Sequence, residues 1–355
     1  MPRLTELVRR LPEEVDGAIL TGAHNRRYLT GLASSAGTLI LTRGGCGLII
    51  DARYFELAER AVKDCEVILQ DQLYEQIGAF FAAKGVKRVA LDSAGCTLKG
   101  RNAYREKLGN ITFLEDDGLS DLLAGMRGRK EEGELASIRA AQGVAEKAFD
   151  HILGLIRPGL TEREIALEIE VYGRSNGAEG VSFSPIVAAG SSSSIPHAQP
   201  GERKIAAGDI VLMDFGFVVD GYCSDMTRTV VVGSASQKQR EVYETVLRAQ
   251  EAAFEKIGPG GSCKEVDAAA RALIDASPYA GLFGHGLGHS LGLEIHESPA
   301  FNKTSEAALQ PGMVMTVEPG IYLPGEFGVR IEDMVAITQN GFENLTGCSK
   351  ELLVL

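Results

Sequence analysis

Two segments in the C-terminal third of the chain each read as a β-hairpin that has an acidic residue on either side of its turn. In the first, VLMDFGFVVDGYCSDMTRT, the turn signal is Asp220-Gly221, and Asp214 and Asp225 lie on the flanking strands. With those two turn residues as the loop, Asp214 pairs with Thr227. Both aspartates then lie on one face of the hairpin, with their Cα atoms about 7–8 Å apart.

The second segment runs from Glu318 to Glu332 and has Pro324-Gly325 near its midpoint. A symmetric hairpin about that turn places the two glutamates opposite each other on the same face. Between the two hairpins, the Gly-rich phrase FGHGLGHSLGLEIHE carries three of the six histidines of the chain. We expect His289 of this phrase to lie on a loop held by the rigid sheet, where ligands are commonly carried.

Four carboxylates gathered in one site need positive charge beside them, because a buried unpaired charge is costly. Two divalent cations match four negative charges, and one carboxylate can bridge two ions about 3.5–4 Å apart. Taken singly, each acid reads as an ordinary solvated residue, so the prediction depends on the combination. The sequence predicts a dinuclear metal hydrolase with the ligands Asp214, Asp225, His289, Glu318 and Glu332.

Composition excludes several other classes of protein. A chain of 355 residues can bury a real core and is long enough for two domains. Its six cysteines form no CxxC or CxxH pair, which argues against a zinc ribbon and a disulfide framework. The net charge of −12 and the lack of a Lys/Arg run disfavour nucleic acid. No apolar stretch has the length of a signal peptide or a membrane span, so we expect a cytoplasmic protein without a membrane partner.

Residues 1–125 alternate short apolar runs with helical stretches, a pattern typical of an α/β domain with a parallel or mixed sheet. The predicted strands are 17–20, 37–42, 47–51, 66–69, 88–92 and 111–115, and the predicted helices are 53–63, 73–84 and 100–108. No GxGxxG follows the first strand and the chain has no GKS or GKT, so nucleotide binding has no support.

Residues 126–355 combine long helical stretches with strand-like runs, a pattern that predicts an α+β domain. A long amphipathic helix opens at about residue 126 and is stopped by Pro158-Gly159. Strand-like runs follow at 182–189, 210–219, 222–233, 313–318 and 329–337. Three later helix starts have the pattern of a capping box, in which a hydroxyl and a side chain three residues on satisfy free backbone N–H groups. These pairs are Thr161 with Glu164, Ser236 with Gln239, and Ser262 with Glu265.

The ligand-bearing phrases resemble those of the pita-bread metallopeptidases, a family that includes methionine aminopeptidase, aminopeptidase P, prolidase and the non-metal relative creatinase. The matching phrases are DFGFVVDGYCSD, HGLGHSLGLEIHE, VEPGIY and RIED. The phrases NRRYLTGL, GTLILT and IIDARYFELA resemble the amino-terminal domain of prolidases, bacterial aminopeptidase P and creatinase. The whole chain is similar to the short bacterial Xaa-Pro peptidases. This resemblance implies a pita-bread catalytic domain at 126–355 after a creatinase/prolidase-type α/β domain at 1–125.

The resemblance also implies an exopeptidase that hydrolyses the Xaa-Pro bond at the N-terminus of peptides or in dipeptides. Asp225 and Glu332 would bridge two divalent ions, with Asp214 on one ion and His289 and Glu318 on the other. Hydroxide held between the ions would attack the scissile carbonyl, with Glu318 as general base. An oxygen-rich set with one imidazole suits manganese, while cobalt, zinc and iron stay open.

The remaining site predictions concern residues around the ligands. By resemblance, His197 and His296 would stabilise the oxyanion and orient the substrate, and His285 corresponds to a position near the substrate pocket. Strand parity places Arg330 on the face of Glu332, where it could brace the carboxylates. The same parity makes Thr227 and Thr316 supporting candidates. Family members are often dimers, so we expect a homodimer.

Alternative functions remain open. The run from Gly190 to His197 holds four serines and a histidine, but the chain lacks the GxSxG elbow of a serine hydrolase. The same scaffold could act on a non-prolyl substrate, or the chain could be a non-catalytic peptide-binding relative, although all five ligand types are present. Dipeptidase and aminopeptidase are also both open, because after His296 only Lys303 offers a cation for a free carboxylate.

Overall fold

The computed structural model describes residues 3–114 and 116–355, and divides the chain into two compact units, residues 1–127 and 128–355. Residue Glu115, the last of the predicted strand 111–115, lies outside the described residues. Within the described ranges, no helix is both long enough and apolar enough to cross a membrane.

The N-terminal unit is a mixed six-stranded sheet with helices between its strands, as the sequence predicts. Its strands are β1 Gly17–Leu20, β2 Thr38–Thr42, β3 Gly45–Ile50, β4 Glu66–Leu69, β5 Arg88–Leu91 and β6 Thr112–Phe113, in the spatial order β4-β3-β2-β1-β5-β6. Its helices are α1 Arg3–Arg10, α2 Ala23–Thr30, α3 Ala52–Ala61, α4 Leu73–Ala82, α5 Leu98–Lys107 and α6 Gly118–Arg127. Strand β1 runs antiparallel to β2 and parallel to β5, so the sheet is mixed.

The C-terminal unit combines four long helices with short antiparallel sheets. The helices are α7 Glu132–Leu153, α8 Glu162–Ser175, α9 Gln237–Phe254 and α10 Cys263–Asp275, with a 3₁₀ helix at Gly190–Ser194. The strands are β7 Gly180–Val181, β8 Ile186–Ala189, β9 Ile210–Phe215, β10 Phe217–Val219, β11 Tyr222–Cys223, β12 Met226–Val231, β13 Gly288–Ser290, β14 Glu297–Phe301, β15 Val314–Val317, β16 Gly320–Leu323, β17 Phe327–Arg330, β18 Asp333–Ile337 and β19 Phe342–Asn344. Apolar faces of α7 and α8 pack on β8, β9 and β12, while α9 and α10 pack on β15 to β18.

The prediction of one long helix from residue 126 is wrong at both ends. Residues 126 and 127 are the last two residues of α6. Helix α7 begins at Glu132 because Glu131 and Glu134 form a capping box there. Ahead of that box, the backbone N–H of Lys130 donates to Gly312 O at 2.8 Å, which is not a helical bond. Helix α7 ends at Leu153, before the predicted stop.

The predicted helix starts at Thr161 and Ser236 are confirmed as capping boxes. At the third predicted start, Ser262 caps α10 by accepting a hydrogen bond from the backbone N–H of Glu265. Side-chain caps therefore define the first residues of α8, α9 and α10.

The first hairpin has the predicted register. Asp214 pairs with Thr227 across β9 and β12, and Val219 pairs with Tyr222 next to the turn. The turn residues Asp220 and Gly221 have φ angles of 50° and 82°. Positive φ at both positions is the requirement of a type I′ hairpin, which explains why the Asp-Gly pair fixes the register.

The second hairpin keeps the predicted register but is interrupted at the two glutamates. Val317 pairs with Asp333 on one side of the interruption, and Gly320 pairs with Arg330 on the other. Proline at 319 has no N–H to donate to a strand ladder. The backbone N–H of Glu318 instead donates to Leu287 O at 2.8 Å, and that of Glu332 donates to Thr227 O at 3.1 Å. These two hydrogen bonds connect the second hairpin to the first hairpin and to the Gly-rich segment that carries His289.

Candidate metal centre

Three buried carboxylates converge where the two hairpins meet. Asp214 lies on β9, Asp225 directly precedes β12, and Glu332 lies between β17 and β18. One carboxylate oxygen from each lies within 4.8 Å of the others. Within the described residues, Asp214 Oδ1, Asp225 Oδ1 and Glu332 Oε1 are buried and have no hydrogen-bond partner. Buried polar atoms are otherwise almost always paired, so these three oxygens fit a bound cation.

His289 and Glu318 lie beside these three, although His289 lies on the short strand β13 and not on the predicted loop. His289 Nε2 lies 3.6 Å from Asp225 Oδ2 and 3.6 Å from Glu318 Oε1. The other ring nitrogen, Nδ1, lies 3.1 Å from the carbonyl oxygen of Ser290 and therefore carries the proton. That tautomer leaves the lone pair of Nε2 directed at the carboxylates, as a metal ligand requires.

The electrostatics of the centre also favour cations. Burial raises the pKa of Asp225 and of Glu332 well above the ordinary range, and neighbouring carboxylates raise both further. Burial likewise raises the pKa of Glu318 to about 8. Burial lowers the pKa of His289 to about 4, so its ring is neutral near pH 7. A cluster that binds protons this readily in the absence of metal is one in which divalent ions can replace them.

The predicted supporting residues all contact carboxylates of this set. Thr227 Oγ1 donates to Glu332 Oε2 at 2.7 Å and accepts from Arg330 Nε at 3.1 Å. Arg330 Nη2 donates to Asp214 Oδ2 at 2.5 Å, and Thr316 Oγ1 donates to Glu318 Oε1 at 3.3 Å. In Asp214 and Glu332, the oxygen bound by a neighbour is thus distinct from the unpartnered one. This division fixes each carboxylate while leaving one oxygen for a cation.

A cavity of about 270 Å³ opens onto the carboxylates. Besides the five predicted ligands, it is lined by Phe183, Ser184, Ile186, His197, Gln199, Ile295 and His296. The rings of His289 and His296 pack edge to face with their centroids 4.4 Å apart. Both His197 and His296 are exposed, so these two predicted residues lie at the mouth of the cavity beside the ligands.

His285 packs beside Tyr322, and its predicted place near the substrate pocket stays a prediction. It does not line the cavity in the described part of the chain, and its Nε2 lies 3.0 Å from the hydroxyl of Tyr322. Tyr322 in turn accepts a hydrogen bond from Arg330 Nη1 at 2.7 Å. Burial lowers the pKa of His285 to about 4, so its neutral ring accepts the Tyr322 proton. Tyr322 was not among the residues predicted for the site, although it lies on the same face of strand β16 as Gly320.

Hydroxyls of the serine run make hydrogen bonds to backbone atoms. Ser193 Oγ donates to Gly190 O at 2.6 Å and accepts from Gly328 N at 2.9 Å. Ser194 Oγ donates to Ser191 O at 2.8 Å. These hydroxyls brace the 3₁₀ helix against β17, which argues against a serine nucleophile.

Comparison with known proteins identifies the family. Residues 136–339 match the model of metallopeptidase family M24, and residues 3–127 match that of the creatinase/prolidase N-terminal domain. The chain belongs to metallopeptidase family M24. M24 membership makes it a metallopeptidase and implies divalent metal ions at this centre. It also confirms the predicted architecture, a pita-bread catalytic domain preceded by a creatinase-type α/β domain.

Several M24 relatives match this chain over almost its whole length. It is 40% identical to an uncharacterized peptidase of Bacillus subtilis, with 96% of each chain covered. It is 36% identical to an Xaa-Pro dipeptidase of Pyrococcus horikoshii, covering 99% of this chain and 100% of the relative. Among solved structures, an Xaa-Pro dipeptidase from Bacillus anthracis has a TM-score of 0.95 at 37% identity and 99% coverage of each chain. An X-Pro aminopeptidase from Thermotoga maritima has a TM-score of 0.92 at 33% identity, covering 99% of this chain and 100% of that one.

Proposed function

We propose that this chain is a dinuclear metal exopeptidase that hydrolyses the Xaa-Pro bond at the N-terminus of peptides or in dipeptides. The observation that carries the proposal is the set of three buried carboxylate oxygens, on Asp214, Asp225 and Glu332, that lack partners within the described residues. Proline specificity is supported by relatives named Xaa-Pro dipeptidase and X-Pro aminopeptidase, which cover nearly all of this chain.

The ligands in this proposal are the five residues predicted from the sequence. Asp214, Asp225 and Glu332 would hold the ions through their carboxylates, together with His289 and Glu318. A pair of divalent ions bound there would supply a water acidic enough to attack a carbonyl near neutral pH. Four carboxylates and one imidazole favour manganese.

Glu318 is the proposed general base. Its side chain lies beside His289 and is braced by Thr316, so its carboxylate is held in one orientation. A carboxylate held at this point would take the proton of the attacking water and later deliver it to the leaving nitrogen. Delivery matters especially at proline, because the leaving group is a secondary amine.

The mouth of the cavity contributes the remaining roles. His197 and His296 would donate hydrogen bonds to the oxygen of the scissile carbonyl as negative charge develops on it. Phe183, Ile186 and Ile295 provide an apolar wall of the kind against which a proline ring packs.

Longer peptides are the favoured substrates over dipeptides. A strict dipeptidase must bind the free carboxylate that follows proline, and a cation is the usual partner for it. The described residues that line the cavity include no lysine or arginine, and Lys303 is exposed outside it. A homodimer and a cytoplasmic location remain predictions, the first testable by light scattering at defined protein concentration.

The experiment is hydrolysis of Ala-Pro, Ala-Pro-Ala and Ala-Ala-Ala by chelator-stripped protein, with manganese added back. We expect metal-dependent release of alanine from Ala-Pro-Ala, its loss in Glu318→Ala, and little cleavage of Ala-Ala-Ala. Faster cleavage of Ala-Pro would make the protein a dipeptidase. Preferential cleavage of Ala-Ala-Ala would assign a non-prolyl substrate. Bound metal without cleavage of any peptide would favour a non-catalytic peptide-binding relative.

A further inference from the structure

The segment that leads to His289 has no regular structure of its own. Residues 282–287, LFGHGL, form neither helix nor strand, and they lie between α10 and β13. The segment contains Gly284 and Gly286 and follows Gly281, whose φ is 78°. Glycine-rich backbone has many accessible conformations, so contacts from other parts of the unit must fix this one.

Helix α10 supplies those contacts through a pair of charged residues one turn apart. Arg271 binds the carboxylate of Asp267 with two hydrogen bonds, Nη2 to Oδ1 at 2.8 Å and Nε to Oδ2 at 3.0 Å. The side chain of Asp267 is 1% exposed and that of Arg271 is 12% exposed. Such a two-pronged, largely buried pair has a fixed geometry, unlike an ordinary surface pair of the same spacing. We call Asp267 and Arg271 the α10 clamp.

The α10 clamp binds the backbone at every second residue of the segment. Arg271 donates from Nη1 to Phe283 O at 2.9 Å and from Nη2 to His285 O at 2.8 Å. Asp267 Oδ1 accepts from the backbone N–H of Leu287 at 3.1 Å, and that N–H also donates to Phe301 O at 2.8 Å. The guanidinium of Arg271 also lies 4.3 Å from the ring centroid of Phe283.

The segment fixed in this way contacts the metal centre at two points. His289 follows Leu287 by two residues, so the position of its ring depends on the path of the segment. Leu287 O accepts the hydrogen bond from the backbone N–H of Glu318 at 2.8 Å. One imidazole and one carboxylate of the proposed ligand set therefore depend on the same short stretch of backbone.

We propose that Asp267 and Arg271 are positioning residues for the metal centre, which hold the backbone of residues 283–287 so that His289 and Glu318 are set for metal binding. This inference rests on the proposed ligand set and goes beyond it, because neither clamp residue lines the cavity. Residues that orient ligands in this way commonly change metal affinity by about 10–100-fold when they are altered.

The test compares Arg271→Lys with Arg203→Lys. Lysine keeps the charge at 271 but cannot make the paired bonds to Asp267 and the two carbonyls. Arg203 is a matched control, because it makes a similar two-pronged pair with Asp209 at 2.8 and 3.1 Å and lies outside the metal centre. Cobalt(II) affinity of chelator-stripped protein is measured by calorimetry, and hydrogen exchange of residues 282–290 is measured on the metal-free protein.

We expect Arg271→Lys to weaken cobalt binding by about 10–100-fold and to speed exchange across 282–290, with both near wild type in Arg203→Lys. Unchanged affinity and exchange in Arg271→Lys would overturn the proposal, as would equal losses in Arg203→Lys. If Arg271→Lys does not fold, Asp267→Asn provides the same comparison with a smaller perturbation. Wild-type protein that binds cobalt but cleaves no Xaa-Pro peptide would refute the proposed function, while the affinities of the variants would still decide the positioning role.

Discussion

Replacing Thr227 with valine removes one hydroxyl from beneath the metal centre and changes little else. The side chain is fully buried on β12, and valine has nearly the same shape, so the variant creates almost no cavity. It does remove two hydrogen bonds, the 2.7 Å bond to Glu332 Oε2 and the 3.1 Å bond from Arg330 Nε. Both partners stay buried in the variant.

The expected cost follows from these two lost bonds. Leaving a buried polar group without its partner costs about 1–3 kcal/mol, so we expect the free energy of unfolding of the metal-free protein to fall by at least about 2 kcal/mol. Glu332 also loses the group that orients its carboxylate. Loss of such support lowers metal affinity by about 10–100-fold, which corresponds to about 1.4–2.7 kcal/mol of binding free energy.

Thr229→Val is the matched control on the same strand. Thr229 is equally buried, and its Oγ1 donates to Arg330 O at 2.8 Å and accepts from Arg330 N at 3.3 Å, so it bonds to backbone and touches no carboxylate. Urea unfolding and manganese titration of chelator-stripped protein separate the two effects. We expect both variants to lose stability but only Thr227→Val to lose metal affinity. Equal metal affinity in the two variants would refute the assigned role of the Thr227 hydroxyl.

Three further predictions test other parts of the centre. Gly288→Ala would place a Cβ only 2.1 Å from Thr316 O, so we expect a lower melting temperature and weaker metal binding. Gly284→Ala is the control, because no atom lies within 4 Å of its added Cβ. Equal melting temperatures of the two variants would contradict this prediction. Burial raises the pKa of Glu318 from 4.5 to about 8, so the folded metal-free protein holds this proton more tightly than the unfolded chain. This contribution to stability should therefore be lost as pH rises from about 4.5 to 8, so we expect the wild type to lose more stability, or gain less, between pH 5 and pH 8 than Glu318→Gln, since the buried histidines titrate in both proteins. The same change in both proteins in urea unfolding would disprove the assignment. Tyr322→Phe removes the hydroxyl that joins His285 to Arg330, so we expect lower kcat for Ala-Pro-Ala with KM nearly unchanged, and a change confined to KM would instead place Tyr322 in substrate binding.

The first hairpin could be predicted from sequence because its turn residues leave few choices. Asp220 and Gly221 both adopt positive φ, which selects one turn type and hence one register for Asp214 and Thr227. The second hairpin was predicted in register, but its interruption was not, since the partners of Glu318 and Glu332 come from Leu287 and Thr227. Hydrogen bonds between segments so distant in sequence leave no local pattern.

The contacts made by Asp267, Arg271 and His285 were harder to predict for a related reason. Asp267 and Arg271 have the spacing of a common surface ion pair on a helix, and only the tertiary structure brings backbone carbonyls to them. His285 lies in a segment without helical or strand periodicity, so the direction of its side chain cannot be derived from its position. Resemblance to the family implies a place near the substrate pocket, which stays a prediction, while the contact with Tyr322 is known only from the structure.

The hydrogen bonds that hold the centre join residues far apart along the chain. Arg330 and Asp214 are 116 residues apart, and Thr227 and Glu332 are 105 residues apart. Contacts of such high sequence separation require long loops to close, so we expect the ligands to assemble late in folding. A metal ion cannot organise the chain early in the way that a zinc finger is organised. We therefore expect manganese to slow unfolding of the C-terminal unit and to leave its refolding rate unchanged.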